Sequence, residues 1–218
     1  PYPELKEKVE HVLSHHTEKN RLNANIQVMT VEETPDVPTD EYDAIIARGY
    51  TARKTSSMYT QIPTIGLSIS GYDMVRAISE CCEAYHPKKI AVCGFSGQMY
   101  EAKNICQFFH ISAEIYAPVH HEDLPKTLEK ALAAGCDALI GGYSANILAR
   151  QYGLPSVIIR TGEDTLLQAI DEAINTVDRI RHERITSQMY KTIIYSSKDG
   201  LLYVDTAGRI QVRNHAIR

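Results

Sequence analysis

The sequence predicts an α/β protein: two similar doubly wound parallel-sheet lobes with an interlobe cleft, then a long connector helix and a β-hairpin. Three observations predict it. Short apolar runs alternate with longer helical patterns, which is the order of repeated βα units. Several of those runs are apolar throughout rather than alternating, as in strands covered by helices on both faces. The chain also repeats itself. YDAIIARGYTA at 42–52 returns as CDALIGGYSA at 136–145, and IPTIGLSISGYDMVRAI at 62–78 returns as LPSVIIRTGEDTLLQAI at 154–170. Pro63 then aligns with Pro155 and Gly71 with Gly162.

Taken in order, the predicted strands are 25–31, 43–47, 63–68, 89–95, 113–118, 137–142 and 155–160. The predicted helices are about 3–18, 51–59, 72–85, 98–109, 123–134, 144–152 and 163–190. Asp123 reads as a helix start with Pro125 in the first turn. The helix at 98–109 has its counterpart near residue 1, so a first strand is expected just before Pro1. The helix after 63–68 leads into the second repeat, and the one after 155–160 is expected to pack back on the first. The lobes are therefore drawn as 1–70 with 163–187, and 71–162, leaving 188–218 as connector and tail.

Composition limits the function. Against 27 acidic residues stand 23 Lys and Arg, for a net charge of -4, so no basic face marks nucleic-acid binding. No apolar run is long enough to span a membrane, and no signal peptide is expected, since the first residues do not read as a basic-then-apolar leader. Five scattered cysteines, Cys81, Cys82, Cys93, Cys106 and Cys136, lack metal-ligand spacing and point to a reduced, cytoplasmic setting. Neither a dinucleotide fingerprint nor a Walker loop occurs, and no cofactor is expected.

The candidate site lies beyond the carboxyl ends of the strands, where an open α/β sheet binds ligands. Arg48, Gly49, Tyr50 and Thr51 follow the second predicted strand. Ser70, Gly71, Tyr72 and Asp73 follow the third. Ser96 and Gly97 follow the fourth, Gly142, Tyr143, Ser144 and Asn146 the sixth, and Thr161 and Gly162 the seventh. Each residue alone reads as a cap or a turn. Together, helix N-termini with free N–H groups suit a carboxylate or phosphate, and Arg48 adds a guanidinium that can clamp an organic acid. Arg48, Ser70, Tyr72, Ser96 and Tyr143 are predicted to line one pocket. His120-His121-Glu122-Asp123 reads as a solvated loop, His15-His16 as a helix end meeting carbonyls or solvent, and Cys81-Cys82 as helix packing.

Two function classes compete. Duplicated α/β halves around a ligand also occur in the aspartate/glutamate racemase architecture, whose chemistry needs an acid/base group on each side of the substrate. No cysteine sits in the loops after 43–47 or 137–142, so the residues favour a binder over an enzyme.

With YDAIIARGYTA, the Ser-Gly-Tyr-Asp run in IPTIGLSISGYDMVRAI, and KKIAVCGFSG on the page, the chain resembles the N-terminal sensory domain of the propionate catabolism activator family. The resemblance covers roughly 1–187. It implies a sigma-54-dependent transcriptional activator whose two-lobed receptor binds a small metabolite, 2-methylcitrate in the best-known case. Arg48, Gly49, Thr51, Ser70, Gly71, Tyr72 and Asp73 match its motif loops. The segment 196–218 resembles the opening of a PAS domain: a strand, a turn at Thr206-Ala207-Gly208, a second strand, then Asn214. The implied full protein continues into an AAA+ ATPase and a helix-turn-helix domain, through which it would meet sigma-54 RNA polymerase and DNA. The tail and connector predict a homodimer.

Overall fold

The computed structural model describes residues 4–29, 33, 36–95 and 102–217. These divide into two compact units, one ending at Ala173 and one beginning at Ile174.

The first unit opens with α1 (Glu4–His15). Residues 22–29 follow without regular structure, although 25–31 reads as a strand. Among the described residues no strand pairs with 25–29, and Val28 is 60% exposed; strand propensity without a pairing partner does not make a strand. Residues 30 and 31 lie outside the described set. Next come β1 (Ile45–Arg48), α2 (Gly49–Met58) and β2 (Thr64–Leu67), with β1 and β2 paired in parallel.

Beyond α3 (Gly71–Tyr85) lies the larger sheet. Its elements are β3 (Lys89–Cys93), α4 (Ala102–Phe108), β4 (Ser112–Tyr116), α5 (Leu124–Ala133), β5 (Ala138–Gly141), α6 (Tyr143–Gln151) and β6 (Ser156–Ile158). The strand order is β4-β3-β5-β6 and every pairing is parallel. Side-chain alternation explains the unbroken apolar runs. Ile90, Val92, Ala138 and Ile140 pack with α3 and α4 residues on one face. Ala91, Cys93 and Leu139 pack with Leu124, Leu128 and Ala149 on the other. Both faces are buried, so both parities are apolar. At the start of β3, Asp137 accepts backbone N–H bonds from Lys88 (2.8 Å) and Lys89 (3.1 Å), which aligns it with β5.

The helices that follow β2 and β6 are exchanged. From α3, Met74, Ala77, Ile78 and Cys81 are buried against the larger sheet. From the start of α7 (Glu163–Ser196), Ala169 and Ala173 are buried with Ile65 of β2. Each helix thus packs on the sheet it does not follow. Contrary to the sequence reading, His16 is buried, with Nε2 3.0 Å from Asp171 of α7. A helix-end histidine met the returning helix rather than solvent.

The second unit holds the rest of α7 and an antiparallel pair, β7 (Leu202–Val204) and β8 (Ile210–Arg213). The helix runs six residues past the predicted end. At the hairpin turn, Asp205 accepts backbone bonds from Ala207 and Arg209, both at 2.9 Å. Asn214, 2% exposed, ties the hairpin to the helix end: Oδ1 accepts from Leu201 N, and Nδ2 donates to Ile194 O (3.1 Å) and Asp199 O (2.8 Å).

Candidate functional site

Arg48 ends β1 in extended backbone, and Gly49 begins α2 with φ +56°, a left-handed conformation that suits glycine. This turn sends the Arg48 side chain toward the larger sheet. Its Nη2 donates to Ile159 O, just past β6, at 2.6 Å. One residue on, the Tyr50 ring lies 5.4 Å from Phe95 and 6.3 Å from His121, centroid to centroid. Arg53, a turn later, reaches Val119 O at 3.4 Å. The first turns of α2 therefore touch the loops after β3, β4 and β6 of the other sheet. Thr51 is also in this segment, where its carbonyl accepts from the Thr55 hydroxyl.

The β2–α3 loop is engaged differently. Ser70 caps α3: its side chain accepts from Asp73 N at 3.0 Å, and the Asp73 carboxylate accepts from Ser70 N at 3.4 Å. This reciprocal capping box is legible as Ser-x-x-Asp. Asp73 is 2% exposed and also accepts from Thr165 Oγ1 of α7 at 3.0 Å. A Cβ placed on Gly162 would stand 2.8 Å from Asp73 Oδ1. Ser70 thus caps α3, which begins at Gly71, and Asp73 joins the starts of α3 and α7. Tyr72 is 68% exposed, with the Arg76 guanidinium 4.8 Å above its ring.

On the larger sheet, Gly142 is the N-cap of α6, followed by Tyr143, 40% exposed, and the half-buried Ser144. Gly141, at the end of β5, sits where a Cβ would meet Cys93 O at 2.7 Å. Asn146 is 2% exposed, and its Nδ2 has no hydrogen-bond partner among the described residues. Thr161 is also buried, and its carbonyl accepts from Lys8 Nζ at 3.0 Å. Ser96 and Gly97 lie outside the described residues.

Sequence reasoning named Arg48 and Tyr50 but passed over Phe95, His121 and Arg53. His121 was assigned to a solvated loop, and only the tertiary fold brings it to Tyr50. Asn146 carried a signal, a polar residue in the first turn after a strand.

The thiols are poor nucleophiles. Burial pushes Cys81 and Cys93 up to about 12, and Cys106 up to about 11. Burial raises Cys82 and Cys136 as well. Among the described residues, no group of three or more His, Cys, Asp or Glu is placed to hold a metal. No described helix is long and apolar enough to cross a membrane.

Among solved structures, the chain is similar to an NtrC family transcriptional regulator from Clostridium acetobutylicum, at 22% identity and a TM-score of 0.57 over 64% of this chain and 73% of that one. This likeness bears on the fold: α/β with parallel sheets. An ABC domain in complex with L-Trp from Streptococcus pneumonia aligns at 11% identity over 82% of each chain, with a TM-score of 0.44. The family model described as Propionate catabolism activator matches residues 18–183. That span holds β1 through β6, both exchanged helix starts and the Arg48 junction, and the chain belongs to the propionate catabolism activator family.

Proposed function

We propose that this chain is the sensory domain of a sigma-54-dependent transcriptional activator and binds a small organic acid or similar metabolite between two lobes. The lobes are 1–70 with 163–187, and 71–162. The observation that carries the reading is the junction where Arg48 meets Ile159 O and Tyr50 meets Phe95 and His121. It puts a permanent cation and a cluster of rings at strand ends from two sheets, the place an open α/β fold offers a ligand. A guanidinium there suits a carboxylate. Gly49, Thr51, Gly142, Tyr143, Ser144 and Ser96 are proposed to complete the site. Asn146 supports it, since buried side-chain donors normally find partners.

The racemase reading is disfavoured. It needs an acid/base group on each side of the substrate carbon, and the buried cysteines hold their protons far above neutral pH.

The segment 196–218 is proposed to open a PAS domain, and the whole protein to carry an ATPase and a DNA-binding domain that meet DNA and sigma-54 RNA polymerase. A cytoplasmic homodimer is the proposed setting.

A thermal-shift panel of carboxylic acids, sugar acids and phosphorylated metabolites tests the site. A true ligand at about 100 times its Kd adds about 2.7 kcal/mol. Arg48→Ala should abolish the shift for an anionic hit while leaving the far-ultraviolet spectrum unchanged. A hit whose affinity is indifferent to Arg48→Ala would place binding elsewhere.

A further inference from the structure

The second half of α7 has one face that no residue of the helix itself explains. Ile180, Arg184, Ser187, Lys191 and Ile194 recur at alternating spacings of four and three, so they share one side of the helix. On that side the helix and β8 enclose an open groove of about 930 Å³, lined by Glu183, Ser187, Tyr190, Lys191, Ile194 and Val212 among others. Tyr190 is 58% exposed, and the groove offers mostly apolar surface.

We propose that a second copy of this chain fills the groove, the two α7 helices crossing antiparallel about Ser187. This deepens the homodimer proposed above and is independent of the ligand site. Charge selects the occupant and its direction. A twofold axis at Ser187 sets Ile180 of one copy opposite Ile194 of the other, Glu183 opposite Lys191, and Arg184 opposite the Tyr190 ring. These three pairs match apolar with apolar, acid with base, and cation with aromatic face. A parallel pairing in register would set Glu183 against Glu183 and Lys191 against Lys191, which is repulsive. A twofold contact is self-complementary by construction, and this face meets that condition in one direction only. The small Ser187 side chain at the crossing point lets the helices approach.

Sedimentation equilibrium on the full chain, from micromolar to about 0.5 mM, reads the association. A reversible dimer is expected. Glu183→Lys and Lys191→Glu should each weaken it by about tenfold, and the two together should restore it, because the pair is re-formed with its signs exchanged. Cross-linking reads the direction. Under mild oxidation, Ile180→Cys mixed with Ile194→Cys should give a disulfide-linked heterodimer, while each variant alone stays at the background of the unsubstituted chain. A chain that remains monomeric throughout the range overturns both the homodimer and its interface. A dimer in which Ile180→Cys and Ile194→Cys each link to themselves, or in which the double reversal fails to rescue, overturns the antiparallel face alone.

Discussion

Removing the Asp73 carboxylate tests whether the starts of α3 and α7 are energetically joined. In Asp73→Ala, the Thr165 hydroxyl, 3% exposed, loses its 3.0 Å acceptor. Leaving a buried donor unpaired costs about 1–3 kcal/mol. Half the α3 capping box also goes, worth about 0.5–1 kcal/mol. One offset runs the other way: Asp73 Oδ1 is buried without a partner among the described residues, so its deletion returns part of a desolvation cost. The net expectation is a loss of about 2 kcal/mol. Thr165→Val removes the other end of the bond. The double-mutant cycle should show a coupling of about 1–2 kcal/mol. Urea unfolding followed by tyrosine fluorescence measures it cleanly, since the chain has 13 Tyr and no Trp. Additivity of the two variants, or an Asp73→Ala loss below about 0.5 kcal/mol, would refute the joint and reduce Asp73 to an ordinary cap.

Other outcomes follow from the same geometry. Gly141→Ala should cost about 2 kcal/mol or more by urea unfolding, because its Cβ would meet the Cys93 carbonyl at 2.7 Å in the middle of a paired sheet. Leu128→Ala, at a fully buried α5 position, should cost about 2–5 kcal/mol. With the buried thiols raised to between about 11 and 12, the folded chain holds protons that the unfolded chain releases near its ordinary thiol range. Their contribution to stability is therefore complete below about pH 8.5 and should decline as pH rises toward 11–12, measured as a falling urea midpoint. Asp205 runs oppositely. Backbone and side-chain bonds, first that from Arg209 N, hold its carboxyl below the ordinary range, so the protection of the β7–β8 turn amides, measured against their intrinsic exchange rate at each pH, should fall as acid protonates it.

Much of the fold was legible because its strands are covered on both faces. A segment such as IAVC at 90–93, apolar at every position, has few alternatives when Ile90 and Val92 serve one layer and Ala91 and Cys93 the other. The same propensity misled at 25–29, where β-favouring residues pair with no strand among the described residues. The end of α7 was misjudged because its apolar stripe fades after Val177, yet no Gly or Pro stands between Ile174 and Gly200 to break the helix. At the candidate site, local chemistry was readable: Ser70 and Asp73 spell a capping box. Partners distant in sequence were not. Nothing near Tyr50 announces Phe95 or His121, and nothing near His16 announces Asp171, because those pairings exist only once the chain has crossed between sheets.

The exchange of α3 and α7 has a consequence for biogenesis. The smaller sheet borrows the start of α7, more than a hundred residues downstream of β1. While the chain emerges from a ribosome, β1 and β2 therefore wait with Ile65 uncovered until the entire larger sheet has been made. The larger sheet does not wait in this way, since α3 precedes it and its four strands all fall between Lys89 and Ile158. Folding should accordingly begin in the middle of the chain and finish with its two ends, the last closure bridging a long sequence separation and setting the slowest step. A nascent chain stalled before Glu163 would hold a folded larger sheet and an exposed apolar edge, the species a holding chaperone would recognise.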